Sequence, residues 1–245
     1  MTTSIGRGFL AVNKTPRILL LCSPQNPIGR IWKKEELIEV GKFCFLNNMI
    51  LIVDEVHCDL LYPGEKFCSF GSLDPSYLQN VIILNSPTKT FNFTGLRGGN
   101  AIIYNKAIMD RLSTRLMRYC LKTVNTFYIA ATITSYKNCE YWLDNLMRYI
   151  SENFDLVYEF IQSNIPQLAV GRPQATFLIL VDYRKLSIDE NFFIKRLSKK
   201  LLVIEGSKFG SSSVGFFRMN IAIPRLLLLD ALKALHMTIN EFDSE

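Results

Sequence analysis

Three short apolar runs, Arg17–Cys22, Met49–Val53 and Val81–Leu84, constrain the fold more than any other feature. Each is rich in leucine, isoleucine or valine and nearly free of polar residues, the pattern of a strand buried on both faces. Between the first two, Lys33–Asn47 sets Leu37, Val40, Phe43 and Cys44 at helical spacing. Strand, helix and strand in that order predict an α/β arrangement, a mostly parallel sheet covered on both faces. Asn100–Tyr104 is a fourth candidate strand. In such sheets ligands sit beyond the carboxyl ends of the strands. Three unusual polar segments fall there: Asn26 after the first run, Asp54 and His57 after the second, and Lys89 after the third.

The rest of the chain reads differently. Residues 106–165 are helical in pattern, and 140–165 carries apolar residues from Trp142 to Ile161 before Pro166 closes it. A helix that long is expected to bridge two subdomains. Strands are expected at 175–181, 201–205 and 216–221, with helices at 189–200 and 225–240, the interleaving of a small α+β domain. The predicted division is therefore a partial large domain at 1–145 and a small carboxyl-terminal domain at 146–245.

Composition excludes several classes. With 49% hydrophobic and 20% charged residues the chain can bury a sizeable core. No apolar run is long enough to span a bilayer, so no membrane association is expected. Residues 1–16 are weakly patterned and lack the apolar length of a signal peptide. Six cysteines and two histidines show no CxxC and no metal-like clustering, so no metal is expected and a reducing, cytoplasmic setting fits. The net charge of +6 is dispersed, without the concentrated stripe that nucleic-acid binding needs.

The third segment, Asn85-Ser86-Pro87-Thr88-Lys89-Thr90-Phe91-Asn92-Phe93-Thr94-Gly95-Leu96-Arg97, carries the sharpest chemistry. Burial at a strand end lowers the pKa of a lysine, and a neutral amine is what Schiff-base formation requires. Ser86, Thr88 and Arg97 could hold a phosphate beside it. Each residue also has a plain structural reading: Asp54 as a cap, His57 as a core histidine, Arg218 as a surface pair.

Together, Ser23-Pro24-Gln25-Asn26-Pro27-Ile28-Gly29-Arg30, Asp54-Glu55-Val56-His57-Cys58-Asp59-Leu60, Ser86-Pro87-Thr88-Lys89-Thr90-Phe91-Asn92 and the late Gly215–Ala222 segment resemble class I/II aminotransferases of pyridoxal phosphate (PLP) fold type I. The branch most similar is that of the cystathionine β-lyase-type C–S lyases. The resemblance runs from about residue 17 to the end. It implies a PLP-dependent transferase-like fold, a small amino-acid substrate, and a homodimer in the full-length form. It assigns Lys89 to covalent cofactor attachment and α-proton transfer, and Asp54 to the pyridine nitrogen. Asn26 and His57 would address the 3-hydroxyl side of the ring, Ser86 and Arg97 the phosphate, and Arg218 the substrate α-carboxylate.

The pattern also departs from that family. Its members carry well over a hundred residues before the Asn-Pro segment, so the resemblance implies a truncated large domain lacking its amino-terminal part. Gln25 stands where the branch often has histidine, and Arg97 follows the aminotransferase pattern rather than that of close C–S lyases. The expected activity is a C–S β-lyase, with transamination or a catalytically silent interaction module as alternatives.

Overall fold

The computed structural model describes residues 17–243; the weakly patterned stretch 1–16 lies outside them. The chain divides into two compact units. Residues up to Gln25, Arg30–Leu61 and Lys66–Leu143 make the first, and Asn26–Gly29, Tyr62–Glu65 and the chain from Asp144 onward make the second.

The first unit is built on a four-stranded sheet in the order β1 (Ile18–Cys22), β2 (Ile50–Asp54), β3 (Val81–Asn85), β4 (Asn100–Ile103). The first three are parallel, with Cys22 opposite Asp54 and Asp54 opposite Leu84, so their carboxyl ends stand side by side. β4 runs antiparallel to β3. Helix α1 (Lys34–Leu46) packs Leu37, Val40 and Cys44 onto Leu51, Val53, Val81 and Ile83. Its first turn is closed by Glu36, whose carboxylate accepts the Lys33 backbone N–H at 2.8 Å.

The expectation of a sheet covered on both faces needs correction. Alternate residues of a strand point to opposite faces. Leu51, Val53, Val81 and Ile83 are buried beneath α1, whereas Ile18 and Leu20 on the opposite face are 57% and 68% exposed. The helices that follow β4 do not bury this face: α3 (Lys106–Arg118) contains no buried residue, and α4 (Thr126–Asn138) only Tyr128 and Ser135. Only an open groove lies between α3 and the sheet, where Ile108 and Leu112 face Ile50 and Ile82.

The helical region expected over 106–165 is three helices, α3, α4 and α5 (Glu140–Asn164), the last being the long helix expected over 140–165. Asn105 and Asn125 start the first two by accepting backbone N–H groups of their first turns. The break between α3 and α4 carries no proline, which is why apolar periodicity alone does not reveal it.

The second unit has an antiparallel sheet in the order β5 (Ala169–Val170), β6 (Leu178–Asp182), β8 (Phe216–Asn220), β7 (Ile204–Glu205). Helix α6 (Glu190–Leu197) precedes β7, and α7 (Arg225–Asp243) ends the described chain. The strand expected at 175–181 begins three residues later, after Thr176, a non-glycine residue at φ 75°, and 201–205 is strand only at Ile204 and Glu205. Ile150, Phe154, Val157 and Ile161 of α5 and Leu228, Leu232, Leu235 and Ile239 of α7 are buried at helical spacing. The buried Asn153 ties α5 to the chain after β8, donating to the Ile221 and Ile223 carbonyls.

Candidate functional site

Because β1, β2 and β3 are parallel neighbours, the Asp54 motif and the Lys89 segment leave the sheet together. A cavity of about 340 Å³ opens there, lined by Asp54, Val56, Leu84, Asn85, Ser86 and the Gly99–Ala101 backbone region. Asp54 is half-buried, and its Oδ1 accepts the Val56 N–H at 3.1 Å. The next residue, Glu55, is a structural group: only 3% exposed, it accepts from Ser69 Oγ and Phe70 N–H, each at 2.7 Å. His57 is equally buried.

Glu55 yields a prediction about stability. Burial raises its pKa above the ordinary 4.5, outweighing the hydrogen bonds from Phe70 and Ser69 that lower it. Between 4.5 and the raised value, the folded chain holds a proton that the unfolded chain has lost. Stability therefore falls as pH rises through that window. Urea midpoints measured across mildly acidic pH are expected to show this decline in the parent and a flatter profile in Glu55→Gln; an equal slope in both would contradict it.

Ser86 is the hinge between β3 and a four-residue helix, α2 (Pro87–Thr90). Its Oγ accepts the Thr88 N–H at 3.3 Å, contacts Thr88 Oγ1 at 2.9 Å and donates to the Gly98 carbonyl at 2.7 Å. Proline at the first helical position presets the backbone of this turn. Lys89 projects from it and is exposed, which corrects the expectation of a buried amine. The neighbours Pro87, Thr88 and Thr90 turn inward instead. Arg97 is exposed too, and its left-handed backbone, φ 48°, ends the turn after Phe93.

Asn26 and Arg218 come together within the second unit. Arg218 Nη1 donates to Asn26 Oδ1 at 3.2 Å, and its guanidinium lies 5.2 Å from the Phe209 ring centre. Burial lowers the Arg218 pKa, but a guanidinium stays charged at any ordinary pH. Among the described residues no carboxylate forms an ion pair with Arg218, and the same holds for Lys89 and Arg97. A half-buried cation without a protein anion is suited to an anion from outside.

Sequence reading did not single out Asp59, Thr90 or Tyr136, which are joined by side-chain hydrogen bonds in the first unit. Asp59 and Thr90 stand within the motifs quoted above, but their contact with each other and with Tyr136 joins residues far apart along the chain and has no local signature.

Residues 10–235 match the family described as aminotransferase class I and II. Cystathionine beta-lyase PatB of Bacillus subtilis is 30% identical over 225 residues, covering 91% of this chain and 58% of the relative. Protein MalY of Escherichia coli is 31% identical over 212 residues, covering 85% and 54%. Among solved structures, cystalysin from Treponema denticola, described as containing a pyridoxal 5'-phosphate cofactor, superposes with a TM-score of 0.90. It shares 31% identity over 95% of this chain and 60% of that one. The PLP-bound C–S lyase from Staphylococcus hominis gives 0.85 at 29% identity, over 93% and 58%. The chain thus spans less than two thirds of the length of each of these relatives. With the sheet order, the strand-end motifs and the matched span in agreement, the chain belongs to the class I and II aminotransferase family and has the fold type I architecture of its PLP-dependent members.

Proposed function

We propose that this chain carries the cofactor- and substrate-binding residues of a pyridoxal phosphate-dependent C–S β-lyase acting on cystathionine or cysteine conjugates. The observation that carries the reading is the cavity at the carboxyl ends of β2 and β3, with Asp54 and Ser86 on its wall and Lys89 on the turn that follows. Its volume falls in the range that encloses a small aromatic ligand, and a carboxylate, a hydroxyl and a nearby primary amine match the donor set of a pyridine ring, a phosphate and an aldehyde. The relatives named cystathionine beta-lyase and C–S lyase favour this chemistry.

When bound, the cofactor supplies an electron sink for the substrate α carbon. Lys89 would be the residue that holds it and, as a free amine, the base for the α proton. Asp54 would keep the pyridine nitrogen protonated, and Asn26 and His57 would address the 3-hydroxyl side of the ring. Ser86 and Arg97 hold the phosphate. Asn26 orients Arg218, whose two-pronged donor face receives the substrate carboxylate. In this reading residues 1–145 are part of the cofactor-binding domain and 146–245 the small domain. The full-length enzyme is a cytoplasmic homodimer.

The test is the visible spectrum and borohydride trapping of the purified chain with PLP, followed by assays with cystathionine and with amino acid plus keto acid. Thiol release supports the lyase; amino-group transfer alone replaces it with a transaminase, the reading Arg97 favours. The exposed Ile18 and Leu20 face favours a silent interaction module, and absence of any trapped cofactor would select that instead. In an active form, Arg218→Ala is expected to raise KM on the order of a hundredfold, the loss of two charge-assisted hydrogen bonds, and to leave cofactor capture intact. A KM within twofold of the parent would remove Arg218 from the carboxylate site.

A further inference from the structure

Asp59 lies beyond His57 in the turn that leaves β2, and its side chain is half-buried. Its Oδ2 accepts two hydroxyl protons, from Thr90 Oγ1 at 2.9 Å and from Tyr136 OH of α4 at 2.9 Å. Its Oδ1 takes a weaker contact from the Cys58 thiol at 3.6 Å. Thr90 is fully buried and is the residue immediately after Lys89.

The local mechanics of Lys89 make this contact matter. A single helical turn such as α2 has no stability of its own, so its two ends must be held from outside. The first end is held by Ser86 through Thr88 and the Gly98 carbonyl. The other is held by Thr90 on Asp59. The ring of Phe91 continues the anchor, meeting Tyr136 edge-on at 5.4 Å and Trp142 at 6.1 Å. Burial and the charge of Asp59 push the Cys58 thiol up to about 12 and raise the Tyr136 phenol as well, so both remain protonated donors at neutral pH.

We infer that Asp59 is a positioning residue: through Thr90 and Tyr136 it fixes the Lys89-bearing turn to the end of β2 that carries Asp54. The hydrogen bonds are observed in the chain itself; their meaning for cofactor capture rests on the function proposed above. Without Asp59 the lysine keeps its chemistry but loses its fixed place relative to Asp54. Misplacement of a reacting group by about 1 Å lowers rates on the order of a hundredfold; the remaining anchor at Ser86 limits the loss to roughly tenfold.

Two readouts test this, on Asp59→Ala, Asp59→Asn, Thr90→Val and the Asp59→Ala/Thr90→Val double variant. Thr90→Val keeps the shape of the buried side chain and removes only the donor. In the cofactor-free chain, hydrogen exchange of the Phe91 and Phe93 amides, which bond to Pro87 and Thr88 carbonyls, is expected to quicken roughly tenfold in Asp59→Ala and Thr90→Val. The amides of the α5 core should not change, whereas a general loss of structure would move both. With PLP present, borohydride fixation at Lys89 should slow about tenfold in Asp59→Ala and in Thr90→Val and no further in the double, since both break the Asp59–Thr90 link. Asp59→Asn, which keeps an oxygen acceptor, should restore most of the rate. Parental local exchange in both Asp59→Ala and Thr90→Val, or single effects that multiply in the double, overturns the inference. Fixation of PLP in the parent at another lysine overturns the functional reading instead, a result that peptide mapping distinguishes.

Discussion

Lys89→Ala is expected to abolish covalent capture of pyridoxal phosphate and to lower any turnover by at least about a thousandfold, the range that general acid–base catalysis spans. The expectation rests on where the other lysines stand. Among the described residues Lys106 is the only other lysine soon after a strand of the first sheet, three residues past the end of β4. Because β4 is antiparallel to β3, Lys106 emerges at the opposite end of the sheet, where it pairs with Asp110 at 2.8 Å. Lys89 has no such partner among the described residues and follows directly from Ser86 at the cavity wall. Lys89→Arg keeps the positive charge without a nucleophilic amine, so it should fail as completely as alanine. Intact-mass measurement after borohydride reduction decides the matter: a cofactor adduct that survives in both variants would place the attachment elsewhere.

The strand ends were readable before the structure because buried parallel strands leave an unmistakable signature, and chain order then forces their carboxyl ends together. That logic places Asp54 and Lys89 at neighbouring strand ends, where the structure has them. What it could not supply is orientation. A lysine after a strand can turn inward or outward, and here the one-turn helix begun by Pro87 buries Thr88 and Thr90 and leaves Lys89 outside. The bare face of the sheet was equally invisible in the strands themselves, since Ile18 and Leu20 are as apolar as Leu19 and Leu21. Apolarity signals a partner surface without saying whether this chain contains it. Contacts such as Thr90 with Asp59, or Arg218 with Asn26, depend on tertiary placement and have no trace in local spacing. The break between α3 and α4 depends on the Asn125 cap, a weaker signal than the apolar periodicity running across it.

Gly29→Ala is expected to destabilise the chain by on the order of 3–5 kcal/mol, a large share of the stability of an ordinary domain. Two separate effects add. Gly29 has φ +72°, where an L side chain is strained by about 1–2 kcal/mol. A Cβ there would also sit 2.4 Å from Pro173 Cβ and 2.6 Å from the Ala175 carbonyl oxygen. Neither neighbour is a flexible side-chain end. The Gly29 carbonyl is itself bonded to the Gln174 and Ala175 N–H groups at 2.8 and 2.9 Å, so relief of the clash must break that pairing. Gly64 is the natural control: its φ is +87°, yet nothing lies within 4 Å of a Cβ built on it. Gly64→Ala should therefore cost only the backbone strain, about 1–2 kcal/mol, and the difference in urea midpoint between the two variants isolates the clash. Equal losses would mean that the close approach at Gly29 relaxes freely. The same loop carries Asn26 to Arg218, so a Gly29→Ala chain that still folds should bind a substrate carboxylate less well even where cofactor capture is unchanged. That pairing of outcomes separates a loop that merely stabilises the fold from one that also positions Arg218 through Asn26.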